Sequence, residues 1–219
     1  MSTKRNEPSY IPALKYHWLT HLYDPIVALT TREHHVKTCL IEQAQISERS
    51  QVLDIGCGTG TLAIMVKRRF PSAGVYGIDA DAQILGIANR KANTYGIKIH
   101  LDHGYSYALP YDDNRFDRVL SSLFFHHLTR TDKERTLREI YRVLKPGGQL
   151  HVADWGKPSS ALARGLFLTV QLLDGFETTR DNIEGLLPQL MEAAGFNEVN
   201  RVGEVPTMYG TLAQYKALK

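Results

Sequence analysis

The stretch Val52–Gly60, VLDIGCGTG, constrains the fold of this chain more than any other. Val52, Leu53 and Ile55 make a short apolar run with β-branched residues, as in a strand buried within a parallel sheet. Asp54 lies near its carboxyl end, and glycine then recurs at alternate positions, Gly56, Gly58 and Gly60. From Thr61 to Phe70 the pattern turns helical, with Leu62, Met65, Val66 and Arg69 on three- and four-residue spacings. A strand, a tight glycine turn and a helix form the ligand-binding corner of a doubly wound α/β sheet. Glycine is needed there because the backbone must take φ > 0 and a ligand must come within contact distance.

The spacing narrows the ligand. A dinucleotide site uses G-x-G-x-x-G, and counting from Gly56 the third glycine would fall on Thr61. A P-loop needs G-K-[ST] at the helix start, and no lysine is there. Further along, Gly74–Ile78 reads as a second strand ending at Asp79, 19 residues beyond Gly60. That is close to the offset of about 20 residues at which an acid meets a ribose. A carboxylate suits the task because it accepts from two vicinal hydroxyls at once.

At 219 residues the chain is long enough for one well-buried α/β domain and short for two. Net charge is +3, and the one basic cluster, Lys67, Arg68 and Arg69, reads as a solvated helix face. Charge therefore gives no case for a nucleic-acid partner. Cys39 and Cys57 make neither a disulfide framework nor a zinc site, and they suit a reducing cytoplasm. The adjacent His34 and His35 point to different faces of any helix and read as surface or lid residues; no metal is expected. MSTKRNEPSY carries no apolar leader core, and Leu166–Leu173 is interrupted and too short to span a membrane. A cytoplasmic protein without an integral membrane segment is expected.

In order along the chain, an arm and a helical cover over residues 1–45 precede a compact domain over 46–219. The cover pattern runs Ala13–Gln45 and is broken at Asp24-Pro25. Asp81 starts a helix reaching Tyr95, and Ile97–Leu101 is the third strand. Phe116–Ser121 is the fourth, and Thr131 with Glu134 reads as the capping box of the next helix. Lys145–Gly148, KPGG, ends that helix, and Leu150–Ala153 is the fifth strand. Helical stretches follow over Ala161–Leu173 and Ile183–Ala194. Two last strands, near Glu198–Val202 and Thr207–Tyr215, pair as an antiparallel edge.

The spacing D-x-G-x-G-x-G resembles motif I of class I S-adenosylmethionine-dependent methyltransferases. With it come LYD at Leu22–Asp24, ALPYDDNRFD at Ala108–Asp117, YRVLKPGG at Tyr141–Gly148, GKP at Gly156–Pro158 and EAAGF at Glu192–Phe196. In this order they resemble the UbiE-like group of ubiquinone/menaquinone-biosynthesis methyltransferases. The resemblance implies a Rossmann-like, doubly wound, seven-stranded and mostly parallel sheet, with an antiparallel last strand and the helical cover at the amino end. It implies S-adenosyl-L-methionine as cofactor, S-adenosyl-L-homocysteine as product, and a small, partly apolar acceptor of quinone, lipid or other metabolite type. A homodimer is left open.

By the same resemblance the cofactor contacts fall on Asp54, Gly56, Cys57, Gly58, Thr59, Asp79, Ala80 and Ser122. The loop before Leu109-Pro110, where the family places an Asp or Asn near the adenine, has Tyr105 and Ser106 instead. Tyr105 is read as stacking on the adenine, with its own backbone or Ser106 giving the polar contact.

Methyl transfer from a sulfonium is an in-line displacement in which positioning carries most of the rate. A base is needed only when the acceptor loses a proton in the step. The candidates stand at carboxyl ends of strands: His127 first, then His126, and Asp154. Tyr23, Phe125 and Trp155 are read as acceptor-side aromatics, Tyr23 closing over the sulfonium. SSLFFHH, at Ser121–His127, has no N/D-P-P-Y/F stretch of the kind that base-methylating enzymes carry. Two rivals remain: a cofactor-binding regulatory or scaffold protein without catalysis, and a short-chain oxidoreductase. The second is disfavoured by Thr61, and no Tyr-x-x-x-Lys pair is expected within a helix.

Overall fold

A computed structural model describes residues 32–158 and 161–219. Most of the expected cover, Tyr23 included, lies outside the described residues. The described part of the cover is helix α1 (Glu33–Gln43), which sets Val36, Leu40 and Ile41 into the core beside Val52.

Seven strands form one sheet: β1 (Gln51–Ile55), β2 (Gly74–Asp79), β3 (His100–His103), β4 (Phe116–Ser122), β5 (Leu144–Trp155), β6 (Asn197–Thr207) and β7 (Gly210–Leu218). Their spatial order is β3-β2-β1-β4-β5-β7-β6. Only β7 runs against its neighbours, antiparallel to both β5 and β6. The strand order reverses between β1 and β4, which opens a crevice at their carboxyl ends. Helices α2 (Thr61–Arg69), α3 (Ala82–Thr94), α4 (Arg130–Val143), α5 (Ala161–Asp174), α6 (Phe176–Glu184) and α7 (Leu187–Ala193) complete the described fold, with a 3-10 turn at Phe125–His127.

Strand alternation divides the core. Leu53, Ile55 and Val119 face α4 and α7 through Leu137, Ile140 and Met191. Val52 and Leu120 face α1 and α2 through Leu40, Leu62 and Val66. Period-two side chains can supply both layers from one strand.

Several local boundaries differ from expectation. Helix α4 is capped by Thr129, whose Oγ1 accepts from Asp132 N at 3.2 Å; Thr131 and Glu134 lie inside it. Strand β3 starts later because Ile97 N is tied to Ala92 O at 2.9 Å, prolonging the end of α3. KPGG does not precede β5 but lies within it, bulged out where the β4 register shifts between Phe116 and Arg118. The expected helix over Ile183–Ala194 is two, because Gly185 takes φ +73 between α6 and α7. β7 lies inside the sheet and β6 at its edge. Leu212, Ala213, Tyr215 and Ala217 are buried on β7, whereas β6 is mostly exposed.

Candidate active site

The glycine turn is pinned to the end of β2. Gly56 N and Cys57 N both donate to Ile78 O, at 3.0 and 3.1 Å. Gly58 N then donates to Asp79 Oδ2 at 2.9 Å, and Asp81 N donates to Asp79 Oδ1 at 3.0 Å. Each carboxylate oxygen keeps lone-pair capacity for a further donor, as a vicinal diol requires. Burial raises the Asp79 carboxyl above its usual range, against the pull of those backbone bonds. Gly58 takes φ +52, and a Cβ there would meet nothing within 4 Å, so the loop opens onto a bay. At Gly56, φ +64, a Cβ would lie 2.1 Å from the Phe124 ring; the glycine lets that ring lie on the loop.

Two residues expected at the cofactor, Asp54 and Cys57, are buried in the fold. Asp54 is buried, and its Oδ2 accepts from Ala63 N at 3.2 Å. Gly60 brings no side chain to cap α2, so Asp54 from β1 serves that end. Burial pushes its carboxyl up to about 7, with Lys37 working in the opposite direction. Cys57 is buried against Gly77; its N–H is bonded to Ile78 and its carbonyl accepts from Gly60 N at 2.9 Å. Thr59 lies 3.3 Å from the Thr61 hydroxyl, and Lys91 reaches both, at 3.4 and 2.7 Å. The Ala80 carbonyl accepts from His103 Nε2 at 3.0 Å.

In the loop between β3 and β4, the Tyr105 ring stacks on Tyr107, centroids 5.1 Å apart and nearly parallel, with Arg135 over Tyr107. Ser106 is buried, and its hydroxyl meets Thr136 Oγ1 of α4 at 2.8 Å. Ser122 Oγ, at the end of β4, is buried without a hydrogen-bond partner.

Asp154, at the end of β5, organises the other side of the crevice. Its Oδ2 accepts from Phe124 N and Phe125 N at 3.0 and 2.7 Å. Its Oδ1 accepts from Trp155 N at 2.7 Å and Asn182 Nδ2 at 3.1 Å, and it lies 2.8 Å from His126 Nδ1. Burial alone would raise this carboxyl, but His126 and these hydrogen bonds outweigh it and hold it below the usual range. An ionised carboxylate only accepts, so Nδ1 of His126 carries the proton and Nε2 the basic lone pair. The His127 ring lies 4.0 Å from that of His126. Burial first, and His126 second, push the His127 imidazole well below its ordinary value. Trp155 is buried, edge-on to His126 at 6.4 Å and to Phe167 at 5.3 Å. Phe125 does not line the crevice; it is fully enclosed in the core, and the neighbouring Phe124 borders the loop instead.

Sequence reasoning passed over Phe124 and Asn182. FF at 124–125 was the signal for the first, since adjacent aromatics on a tight turn cannot both enter the core; nothing local marked the second. Tyr141 and Lys145 do stand at Tyr-x-x-x-Lys spacing, but α4 ends at Val143 and Lys145 ion-pairs with Asp117 at 2.8 Å. Arg142 of the same motif holds the carbonyls of Leu109 and Tyr111, clamping the loop before β4. Among the described residues no helix is long and apolar enough to cross a membrane.

The open bay at Gly58, the remaining acceptor capacity of Asp79 and the unpartnered Ser122 hydroxyl fit S-adenosylmethionine. Comparison with known proteins agrees. A family model described as a methyltransferase domain matches residues 52–148. A demethylmenaquinone methyltransferase of Thermus thermophilus is 41% identical over 108 residues, 49% of this chain and 48% of that protein. One of Deinococcus radiodurans is 31% identical over 171 residues, 77% of this chain and 70% of that protein. The chain thus spans about half the length of the Thermus relative. The fold matches a SAM-dependent methyltransferase of Aquifex aeolicus with TM-score 0.67 at 22% identity, over 92% of this chain and 96% of that one. From the glycine turn at β1 to the antiparallel β7, the chain belongs to the UbiE-like family of class I methyltransferases.

Proposed function

We propose that this chain transfers a methyl group from S-adenosylmethionine to a quinone-type acceptor, with His126 as general base. The observation that carries the reading is the Asp154–His126 pair, 2.8 Å apart at the carboxyl end of the sheet beside the glycine bay. The names of the relatives, demethylmenaquinone methyltransferases, support the acceptor class. S-adenosylmethionine, when bound, supplies a methyl group on a positively charged sulfur. The chain's own work is to orient and to exclude water. Gly58 N–H and Asp79 fix the ribose end, and Trp155 and Phe124 wall the crevice with apolar surface. As the new bond to methyl forms, the acceptor gives up one proton, and Nε2 of His126 takes it. Asp154 stays ionised and steadies the imidazolium. His127, pushed low by burial, is the weaker base and serves as wall. We read residues 46–219 as the catalytic domain, working on a small molecule and not on nucleic acid, in a reducing cytoplasm that suits the free Cys39 and Cys57.

The test is transfer of radiolabel from S-adenosylmethionine into a reduced, short-tailed demethylmenaquinone, beside a metabolite extract. Label in the extract but not in the quinol refutes the acceptor class. Cofactor binding without any transfer favours the regulatory reading. With an acceptor in hand, His126→Ala should lower kcat by about 10²–10⁴ with cofactor affinity nearly unchanged, and His127→Ala by much less. The reverse ranking refutes the assignment.

A further inference from the structure

We propose that Asn182 is a positioning residue that sets the proton affinity of His126 through Asp154. The inward side of α6 is polar: Thr178, Thr179, Asp181 and Asn182 are all buried. A helix ordinarily turns an apolar stripe to the core, and buried polar groups cost free energy unless they are paired. Here the neighbouring helices supply the pairs. Lys133 of α4, fully buried, donates to Thr178 O at 2.6 Å and to Asp181 Oδ2 at 3.2 Å. Gln171 of α5 donates to Thr179 Oγ1 at 3.1 Å. These bonds fix the register of α6 against the sheet, and the register carries Asn182 to Asp154.

Asn182 is 1% exposed, and its Nδ2 lies 3.1 Å from both Asp154 Oδ1 and Trp155 O. Both neighbours are acceptors, so the amide must turn its nitrogen toward them. Its Oδ1 is buried without a partner, so the bonds of this side chain are made through Nδ2 alone. The oxygen that Asn182 touches is the one that His126 Nδ1 shares. Two physical effects then have the same sign. The donor occupies lone-pair density that would otherwise strengthen the bond to a protonated His126. The amide dipole also points its positive end at Asp154 and so opposes proton uptake at the ring. Asn182 therefore lowers the proton affinity of His126 and keeps Nε2 unprotonated at lower pH, as a base requires.

Other charges face the pair as well: His127 on the same turn, Lys133 on α4 with Arg130 beside it, Asp181 on α6 and Tyr215 on β7. All are retained when Asn182 alone is changed, so a shift on that change belongs to the amide. The inference rests on His126 as the base, but its test needs neither acceptor nor cofactor.

In the full chain labelled at histidine, the His126 imidazole is titrated by nuclear magnetic resonance and assigned by loss of its signal in His126→Gln. Asn182→Ala should raise its midpoint by about half a unit to one unit. Asn182→Leu, close in shape but without the donor, should raise it by a similar amount, because Asp154 then keeps that bonding capacity for the ring. Once an acceptor is known, the acid limb of kcat should move by the same amount. A His126 midpoint unchanged in both variants, whatever their melting temperatures, overturns the proposal and leaves Asn182 a packing residue. A downward shift overturns it too, and Asn182→Leu decides alone if Asn182→Ala does not fold. A shifted midpoint together with full kcat in His126→Ala upholds the role of Asn182 and refutes the base.

Discussion

Replacing Asp79 with alanine tests the cofactor site most directly. In the protein as it stands, Asp79 accepts backbone N–H groups from Gly58 and Asp81, at 2.9 and 3.0 Å. Capacity remains on both oxygens for two ribose hydroxyls. Hydrogen bonds to a charged group contribute about 1.5–3 kcal/mol each, and two on one group do not add fully. The expected loss of cofactor affinity is about 2–4 kcal/mol, or roughly 30- to 900-fold in Kd. Part of it comes through the loop, since Gly58 N–H loses the acceptor that holds the bay open. Stability should fall by only about 1–2 kcal/mol, a drop of roughly 2–8 °C in Tm, because the strand itself stays paired on both sides. Titration calorimetry with S-adenosylmethionine and S-adenosylhomocysteine decides the cause. The ribose is common to both, so both must weaken alike. Unchanged affinity for both would falsify the ribose assignment. Weakening for the sulfonium form alone would mean that Asp79 acts through its charge on the sulfur.

Two other variants probe the architecture of the site. Gly56→Ala places a Cβ 2.1 Å from the Phe124 ring at φ +64, and should destabilise the fold by about 3 kcal/mol or more. Adding Phe124→Ala should recover the collision but not the backbone strain, a coupling of about 1–3 kcal/mol in denaturant melts; strict additivity refutes the contact. Asp54, pushed up to about 7 by burial, holds its proton more tightly folded than unfolded, where its value is 3.8. Stability should therefore fall as pH rises from about 4 to about 7 and level off above, by at most about 4 kcal/mol. Urea midpoints followed across that range should lose this slope in Asp54→Asn. A slope that persists in the variant belongs to other groups.

Much of the fold was legible because its signals are local. Alternate glycines from Gly56 to Gly60 are a statement about backbone angles, and the structure gives all three positive φ. Apolar runs at Val52–Ile55 and Leu150–Ala153 need only the period of a strand. That Asp79 meets the glycine turn was legible too, because the end of β2 and that turn are held together by short βα geometry. Boundaries failed where a neighbour overrode the local pattern. Thr131 with Glu134 is a good cap by spacing, yet the chain leaves the 3-10 turn in extended form at Thr129, and the cap forms there.

The roles of the buried polar residues were decided only by tertiary structure. VLD in the sequence is consistent with an acid facing a ligand, but β1 aims Asp54 at the uncapped start of α2. His126 and His127 are equivalent as letters. Asp154, 28 residues away, distinguishes them by pairing with one ring and not the other. Asn182 carries no local signal at all, since its meaning comes from a register set by Lys133 and Asp181 on different helices. The sequence by itself determined the glycine turn and the buried strands β1 and β5, because backbone angles and hydrophobic period act over a few residues. Which polar groups meet was left to the folded chain, because a hydrogen bond within about 3 Å depends on how distant elements are placed, and spacing along the chain does not encode that.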